Sequence, residues 1–146
     1  MLFQNTMKLL QKYGINFLNG LGTTLLLALI SVAIGFALGL LLGIVFSRFP
    51  RCSSVILPIL SIFQTIPGLV FIGVLYIWWG DSYSTVIVAL SVYAMFPVLK
   101  NTYTGILGVE RKFLEAARGC GMSPLQTLFR VELPLAMPTI IAGVRM

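Results

Sequence analysis

The feature that most constrains the fold is a long uncharged run near the start of the chain. No acidic or basic residue occurs from position 13 to position 47, and residues 21–46 are almost wholly apolar. A helix needs about 20 apolar residues to cross the hydrocarbon core of a bilayer. This run is longer than that and lacks the small-residue cleavage site of a signal peptide. It therefore predicts a membrane-spanning helix.

The rest of the chain repeats this pattern. Uncharged runs cover residues 55–79 and 83–99, and the chain turns apolar again over residues 133–146. The chain is 58% hydrophobic and 10% charged, which is too little charge to cover the surface of a soluble domain. We predict an all-α, polytopic transmembrane bundle that forms a single domain, residues 1–146. It would have three complete spans, the start of a fourth and an incomplete C-terminal end.

The basic residues predict how these spans are oriented. The net charge is +6, and basic residues collect in cytoplasmic loops. The loops after span one and span three hold Arg48, Arg51, Lys100, Arg111, Lys112, Arg118 and Arg130. We therefore expect the N-terminus to lie outside and a loop of about residues 100–132 to lie in the cytoplasm. Residues 1–20 could lie along the outer interface, and Cys52 and Cys120 would be free cytoplasmic thiols.

Span one carries small residues at intervals of four positions. They are Ser31, Gly35, Gly39 and Gly43. On a helix they share one face and let another backbone approach closely, which is the main packing device available in lipid. The stripe predicts a helix-packing seam, and the sequence leaves open whether the seam is static or slides during transport.

Span two contains polar and helix-breaking residues near its middle. Gln64 and Thr65 are polar, and Pro67, followed by Gly68, lacks a backbone donor. Such backbone inside a membrane requires protein or a water-filled cavity beside it. Gln64, Thr65 and Pro67, together with Tyr93 of span three, are candidates for lining a translocation path. The alternative is an interhelical hydrogen bond at a bend.

The loop after span three reads as two short helices. The first covers about residues 110–120 and places Phe113, Ala116, Ala117 and Cys120 on one side. Glycines at 119 and 121 supply its stop. The second begins with a capping box, in which Ser123 is the N-cap, Pro124 the first helical residue and Gln126 the residue that reaches back. It runs to about Glu132, and Leu133 and Pro134 then open the next span.

This loop, EAARGCGMSPLQTLFRVELP, resembles the EAA loop of binding-protein-dependent ABC importer permeases. The family pattern is matched at Glu115, Ala116, Ala117, Gly121, Val131, Leu133 and Pro134. The resemblance implies an ABC-permease bundle whose loop, with Ser123 and Pro124 at its turn, docks in a groove of a cytoplasmic ATPase. It also implies a bacterial or archaeal cytoplasmic membrane protein with a second permease subunit, identical or homologous, and an external substrate-binding protein. The chain itself would be a transport subunit with no ATP site and no resident cofactor or metal.

The substrate class is less sharply indicated. FQTIPGLVFIGVL and FPVLKNTYTGILGV resemble permeases for glycine betaine, choline and carnitine, whereas residues 17–48 are also similar to polar amino-acid permeases. A shortened permease that acts as a membrane scaffold or regulator is a further alternative. A membrane-embedded enzyme is disfavoured, because the chain has no histidine and no acid/base pair within the spans.

Overall fold

A computed structural model describes residues 2–80 and 82–145, with side chains for residues 13–49, 55–80 and 82–145. Every regular element in these residues is helical. The elements are α1 (Leu2–Arg48), α2 (Pro50–Phe63), α3 (Gly68–Trp79), α4 (Tyr83–Leu107), α5 (Arg111–Gly119), α6 (Pro124–Thr127), a π turn (Leu128–Glu132) and α7 (Leu133–Val144). Three helices are long and apolar enough to cross a membrane, or four spans if the bent pair α2–α3 is one. The predicted all-α transmembrane fold is confirmed.

α1 is longer than a single span requires. It runs from Leu2 to Arg48 without a break, about 70 Å at 1.5 Å per residue. Residues 2–20, which we expected to lie along the outer interface before span one, extend the same helix as that span. No proline occurs there to remove a backbone donor, and the glycines in this stretch do not end the helix by themselves.

α1 and α4 run parallel and pack through the predicted small-residue stripe. Three glycines of α1 meet successive positions of α4: Gly35 lies against Ser91, Gly39 against Met95, and Gly43 against Thr102. Ser31 is also buried, and its Oγ donates a hydrogen bond to the Leu27 carbonyl oxygen at 2.7 Å. Because residue numbers rise together on both helices, the C-terminal ends of α1 and α4 lie at the same end of the bundle. We call it the loop end, since Arg48 and residues 108–132 lie there.

α7 runs antiparallel to α4 and returns from the loop end. Gly105, late in α4, lies against Ala136 of α7, whereas the earlier Asn101 lies against Gly143. The core of this unit contains Ile106, Leu128, Ala136 and Ile140, and Phe36, Leu40 and Ile44 of α1 pack against it with Leu133. Helices α1, α4 and α7 are thus the body of the fold.

The second apolar run is two helices rather than one kinked span. α2 and α3 meet at an angle of 85° across residues 64–67. Pro67 cannot donate a backbone hydrogen bond and restricts the residue before it to extended conformations. Its own ψ of 132° is extended, and it caps α3. The Phe63 carbonyl oxygen, which Pro67 leaves without its helical donor, accepts from the Ile66 N–H at 3.3 Å instead, and the Thr65 N–H bonds the Ile62 carbonyl oxygen at 3.0 Å.

The last apolar segment, α7, begins at the expected residue, Leu133, but no gap precedes it. α6, the π turn and α7 form one continuous helix from Pro124 to Val144, so Leu133–Pro134 marks a change from π to α hydrogen bonding within that helix. A proline ring clashes with the carbonyl four residues earlier in a regular α-helix. The wider π turn directly before Pro134, in which the Leu133 N–H bonds the Leu128 carbonyl oxygen, accommodates the ring without ending the helix.

Candidate functional site

The first half of the loop, α5, is a short helix with little of its surface covered. Ala117 is buried, whereas Glu115 and Ala116 are exposed. The sequence interpretation grouped Ala117 with Phe113, Ala116 and Cys120, but these three are exposed. Ala117 is the residue of α5 that is covered, and α5 packs against α6 and the π turn. An exposed face with small and apolar side chains is left on the outside of α5.

Gly121 ends α5 in a left-handed turn. Its φ is +73°, a conformation that favours glycine. The Met122 N–H bonds the Ala117 carbonyl oxygen at 3.0 Å and the Gly121 N–H bonds that of Arg118 at 2.9 Å, which together make a Schellman motif. No atom lies within 4 Å of a Cβ built on Gly121. The glycine is therefore required by the backbone, and its outer side is open.

The second half of the loop begins with the predicted capping box. The Gln126 N–H donates to Ser123 Oγ at 3.3 Å, and the Ser123 N–H donates to Gln126 Oε1 at 2.8 Å. Pro124 occupies the first turn, where its missing donor has no consequence. Two adjacent motifs thus fix the turn between α5 and α6.

Leu133 and Pro134, the end of the family pattern, lie inside the continuous helix. Leu133 is half-buried against the core cluster, and Pro134 is exposed. They lie in one helix with α6, so no loop interrupts the chain between α6 and α7.

An ion pair that the sequence analysis did not identify joins α1 to this loop. Arg48 Nη1 donates to Glu132 Oε1 at 3.2 Å, and Nη2 donates to Oε2 at 2.6 Å. The Glu132 side chain is 8% exposed and that of Arg48 43%. Sequence reasoning used Arg48 only as a topology charge, although a carboxylate directly before an apolar segment was a signal that a cation must lie nearby.

A cavity of about 140 Å³ separates α5 from the end of α1. Its walls include Arg48, Arg118 and Glu132, together with the apolar side chains of Leu114 and Met122. The loop is therefore not packed tightly onto α1 at this place.

A second cavity, of about 560 Å³, lies among α1, α4, α7 and the break between α2 and α3. Gln64 and Tyr93, two of the candidate path residues, line it together with Ser31 and Pro97. The ring of Tyr93 also lies 3.8 Å from the Cβ position of Gly68. The four-residue break thus brings a polar side chain and an aromatic ring to one mostly apolar space.

Thr65 and Pro67 are not among the residues that line this cavity. Both are exposed, and Thr65 Oγ1 donates to the Ile62 carbonyl oxygen at 2.7 Å. They belong to the break between α2 and α3 and do not line the cavity. Among the residues that the structure describes, no group of three His, Cys, Asp or Glu side chains is placed to hold a metal ion.

Known proteins with similar sequences are membrane subunits of importers. Residues 35–146 match the family model described as "Binding-protein-dependent transport system inner membrane component". The chain is 38% identical over 120 residues to the glycine betaine/carnitine/choline transport system permease protein OpuCD of Bacillus subtilis, covering 82% of this chain and 52% of that protein. It is 40% identical over 119 residues to the choline transport system permease protein OpuBB of the same organism, covering 82% and 55%. The chain thus spans about half the length of the curated relatives it matches.

A solved structure has the same fold. An inward-facing structure of the MetNI methionine ABC transporter superposes with a TM-score of 0.69 at 24% sequence identity, covering 88% of this chain and 66% of that one. The family match covers the glycine seam, the broken helix pair, the loop and α7. The chain belongs to the family of inner-membrane components of binding-protein-dependent transport systems, the ABC importer permeases.

Proposed function

We propose that the chain forms the translocation path of an ATP-driven importer and that the α5–α6 loop transmits the movement of a separate ATPase to the spans. The observation that carries this proposal is the continuous helix Pro124–Val144. Because α6, the π turn and α7 are one helix, with no loop between them, a displacement of the loop would displace α7 as well.

The outside of α5 is the surface that we propose for ATPase docking. It exposes Glu115 and Ala116, and the open side of Gly121 continues it. Small side chains allow a partner surface to approach the backbone closely. Ser123 and Pro124 hold the turn in shape through the capping box, so the docking surface is ordered before the partner binds.

The cavity beside Gln64 is the part of the path that we propose substrate crosses. A polar amide and an aromatic ring facing a mostly apolar space suit a cation that carries methyl groups, because an aromatic face attracts quaternary ammonium. The names of the relatives give the same chemistry: glycine betaine, carnitine and choline. We therefore propose a quaternary-amine osmoprotectant as substrate.

The loop end is proposed to face the cytoplasm. Parallel packing of α1 and α4 brings Arg48 to the same end as Arg111, Lys112 and Arg118, and basic residues concentrate on the cytoplasmic side. The N-terminus of α1 then lies outside. The proposed partners follow from this arrangement: ATPase subunits at the loop end, a substrate-binding protein at the other end, and a second permease subunit, identical or homologous, beside the path.

Reconstitution tests the proposal. The protein is assembled in liposomes with its ATPase and binding protein, and uptake of labelled glycine betaine, choline and carnitine is measured with and without ATP. We expect ATP-dependent uptake of at least one of them. Uptake of a polar amino acid alone would assign the substrate to the other subfamily, and binding of the ATPase without any uptake would favour the scaffold alternative.

A further inference from the structure

The Arg48–Glu132 ion pair joins two elements that are otherwise in contact mainly through apolar side chains. Arg48 is the last residue of α1, and Glu132 is the last residue of the π turn. Just inside this pair, Ile44 of α1 and Leu133 both pack against the cluster that contains Leu128. The pair therefore lies at the loop end of the contact between α1 and the continuous helix that begins in the loop.

The geometry of the pair fixes orientation as well as distance. Two parallel hydrogen bonds join one guanidinium to one carboxylate. This bidentate geometry restricts the relative orientation of the two groups, which a lysine ammonium cannot do. Only the Glu132 side of the pair is buried, and the desolvation of its carboxylate offsets much of what the attraction contributes to stability. The pair's distinctive contribution at this position is geometric.

Because of the cavity beside the pair, the position of the loop relative to α1 depends on the geometry of the ion pair. Leu114 and Met122 face the end of α1 across a gap of about 140 Å³, and Ala117 is the one buried residue of α5. Packing between α5 and α1 therefore does not prevent the loop from shifting relative to α1. The fork at Glu132 lies on the wall of the same gap and ties the moving helix to α1.

We propose that Arg48 and Glu132 are positioning residues that make α1 follow the coupling loop, so that α1 and α7 move as one unit when the ATPase moves the loop. This inference rests on the proposed function. It adds that movement of the loop reaches α1 directly through the ion pair, as well as through the covalent chain. α1 is also the helix that packs on α4 through the glycine stripe.

The test uses the assembled transporter in liposomes and measures uptake and ATP hydrolysis in the same preparation. The variants are Arg48→Gln, Arg48→Lys and Glu132→Gln. The control is Lys100→Gln, which removes an exposed basic side chain of α4 that lies outside the surface proposed for docking. We expect the three variants to co-purify with the ATPase but to import roughly 2- to 30-fold less substrate per ATP, the size of effect seen for residues that transmit coupling.

A distance measurement separates positioning from simple stabilisation. Spin labels are attached to Leu125→Cys in α6 and to Val45→Cys near the end of α1, both exposed positions, in a background with Cys52 and Cys120 replaced by serine. We expect the distance to be the same in the nucleotide-free and ATP-trapped states of the otherwise unchanged protein, and to differ between these states in Arg48→Gln and Arg48→Lys.

Three outcomes would overturn the inference: unchanged uptake per ATP in the variants, a distance in Arg48→Gln that ATP does not alter, or loss of ATPase co-purification in Arg48→Lys. The last would make the pair a structural support only. If the unsubstituted protein itself shows no ATP-dependent uptake, the proposed function fails first, and the two failures are thereby distinguished.

Discussion

Gly39 of α1 lies directly against the backbone of Met95 in α4. A Cβ atom built on this glycine would come 2.7 Å from the Met95 carbonyl oxygen and 2.8 Å from the Val98 Cβ. Real Cβ atoms do not approach neighbours so closely, so any side chain at this position must push the helices apart. The small-residue stripe is thus the surface that sets the separation of α1 and α4, and with it the position of Arg48 at the loop end.

The first prediction concerns this seam. Gly39→Ala should lower the free energy of unfolding by about 1–3 kcal/mol, the usual cost of overpacking, partly offset by up to about 1 kcal/mol from the higher helix propensity of alanine. Gly22→Ala is the matched control in the same helix, because nothing lies within 4 Å of its Cβ position. The measurement is the Tm of the purified protein in detergent. A lower Tm for Gly22→Ala than for Gly39→Ala would contradict the packing role.

The second prediction is that replacing two buried threonines of α4 by valine changes stability in opposite directions. Thr102 Oγ1 has no hydrogen-bond partner among the described residues, whereas Thr85 Oγ1 donates to the Gly80 carbonyl oxygen at 3.0 Å. Thr102→Val replaces an unsatisfied hydroxyl by a methyl group and should raise stability by about 1 kcal/mol. Thr85→Val removes a hydrogen bond that is made and should lower it by a similar amount. Tm values that fall equally in both variants would show that the Thr102 hydroxyl has a partner in the membrane protein.

The turn of the loop could be predicted from sequence because its interactions are local. The capping box joins residues three positions apart, and the Schellman motif joins residues within one turn of α5, so the residue types alone specify them. The glycine stripe was predictable for the same reason, although its partner helix was not. Periodicity identifies a face but does not name what packs against it.

The features that sequence reasoning missed depend on long-range geometry. Arg48 and Glu132 are 84 positions apart, and the pairing follows from the parallel packing of α1 with α4 and the return of α7. The 85° bend between α2 and α3 exceeds what Pro67 alone dictates, since proline removes a hydrogen bond without setting the angle. Thr65 was grouped with Gln64 by adjacency, yet the bend turns only Gln64 toward the cavity.

A third prediction tests the orientation. In a Cys52→Ser background, Cys120 is the remaining thiol and is exposed in the loop. A membrane-impermeant maleimide should leave it unlabelled in intact cells and label it after the membrane is broken. Ser84→Cys, in a background with both native cysteines replaced by serine, is the control, since residue 84 is exposed at the opposite end of α4 and should be labelled from outside. Labelling of Cys120 in intact cells would reverse the topology.

A fourth prediction concerns the path. Gln64→Leu removes the amide that faces the large cavity and should reduce uptake about tenfold or more, which corresponds to the free energy of one hydrogen bond at a buried site, while the protein still assembles with its ATPase. Thr65→Val is the control, because Thr65 is adjacent in sequence but does not line the cavity, and its uptake should stay near normal. If Gln64→Leu fails to assemble, Gln64 serves helix packing instead.

The final prediction concerns Gly121, where backbone geometry and proposed docking meet. Its φ of +73° costs a side chain about 1–2 kcal/mol, and a β-branched residue is the least tolerant of it. Gly121→Val should therefore strain the Schellman turn while leaving the rest of the fold intact, because no atom lies within 4 Å of its Cβ position. The added side chain projects from the surface that we propose meets the ATPase.

The expected result for Gly121→Val is normal membrane insertion, weaker co-purification of the ATPase, and loss of uptake together with loss of substrate-stimulated ATP hydrolysis. Gly119→Ala is the matched control two residues earlier. Gly119 lies in α5 with nothing within 4 Å of its Cβ position, and without a positive φ it accepts alanine at no conformational cost. Its variant should retain ATPase binding and uptake. Full uptake by Gly121→Val would mean that the loop merely connects α4 to α7, whereas equal losses in both variants would mean that any added side chain on this surface blocks docking and that the left-handed turn is not the cause.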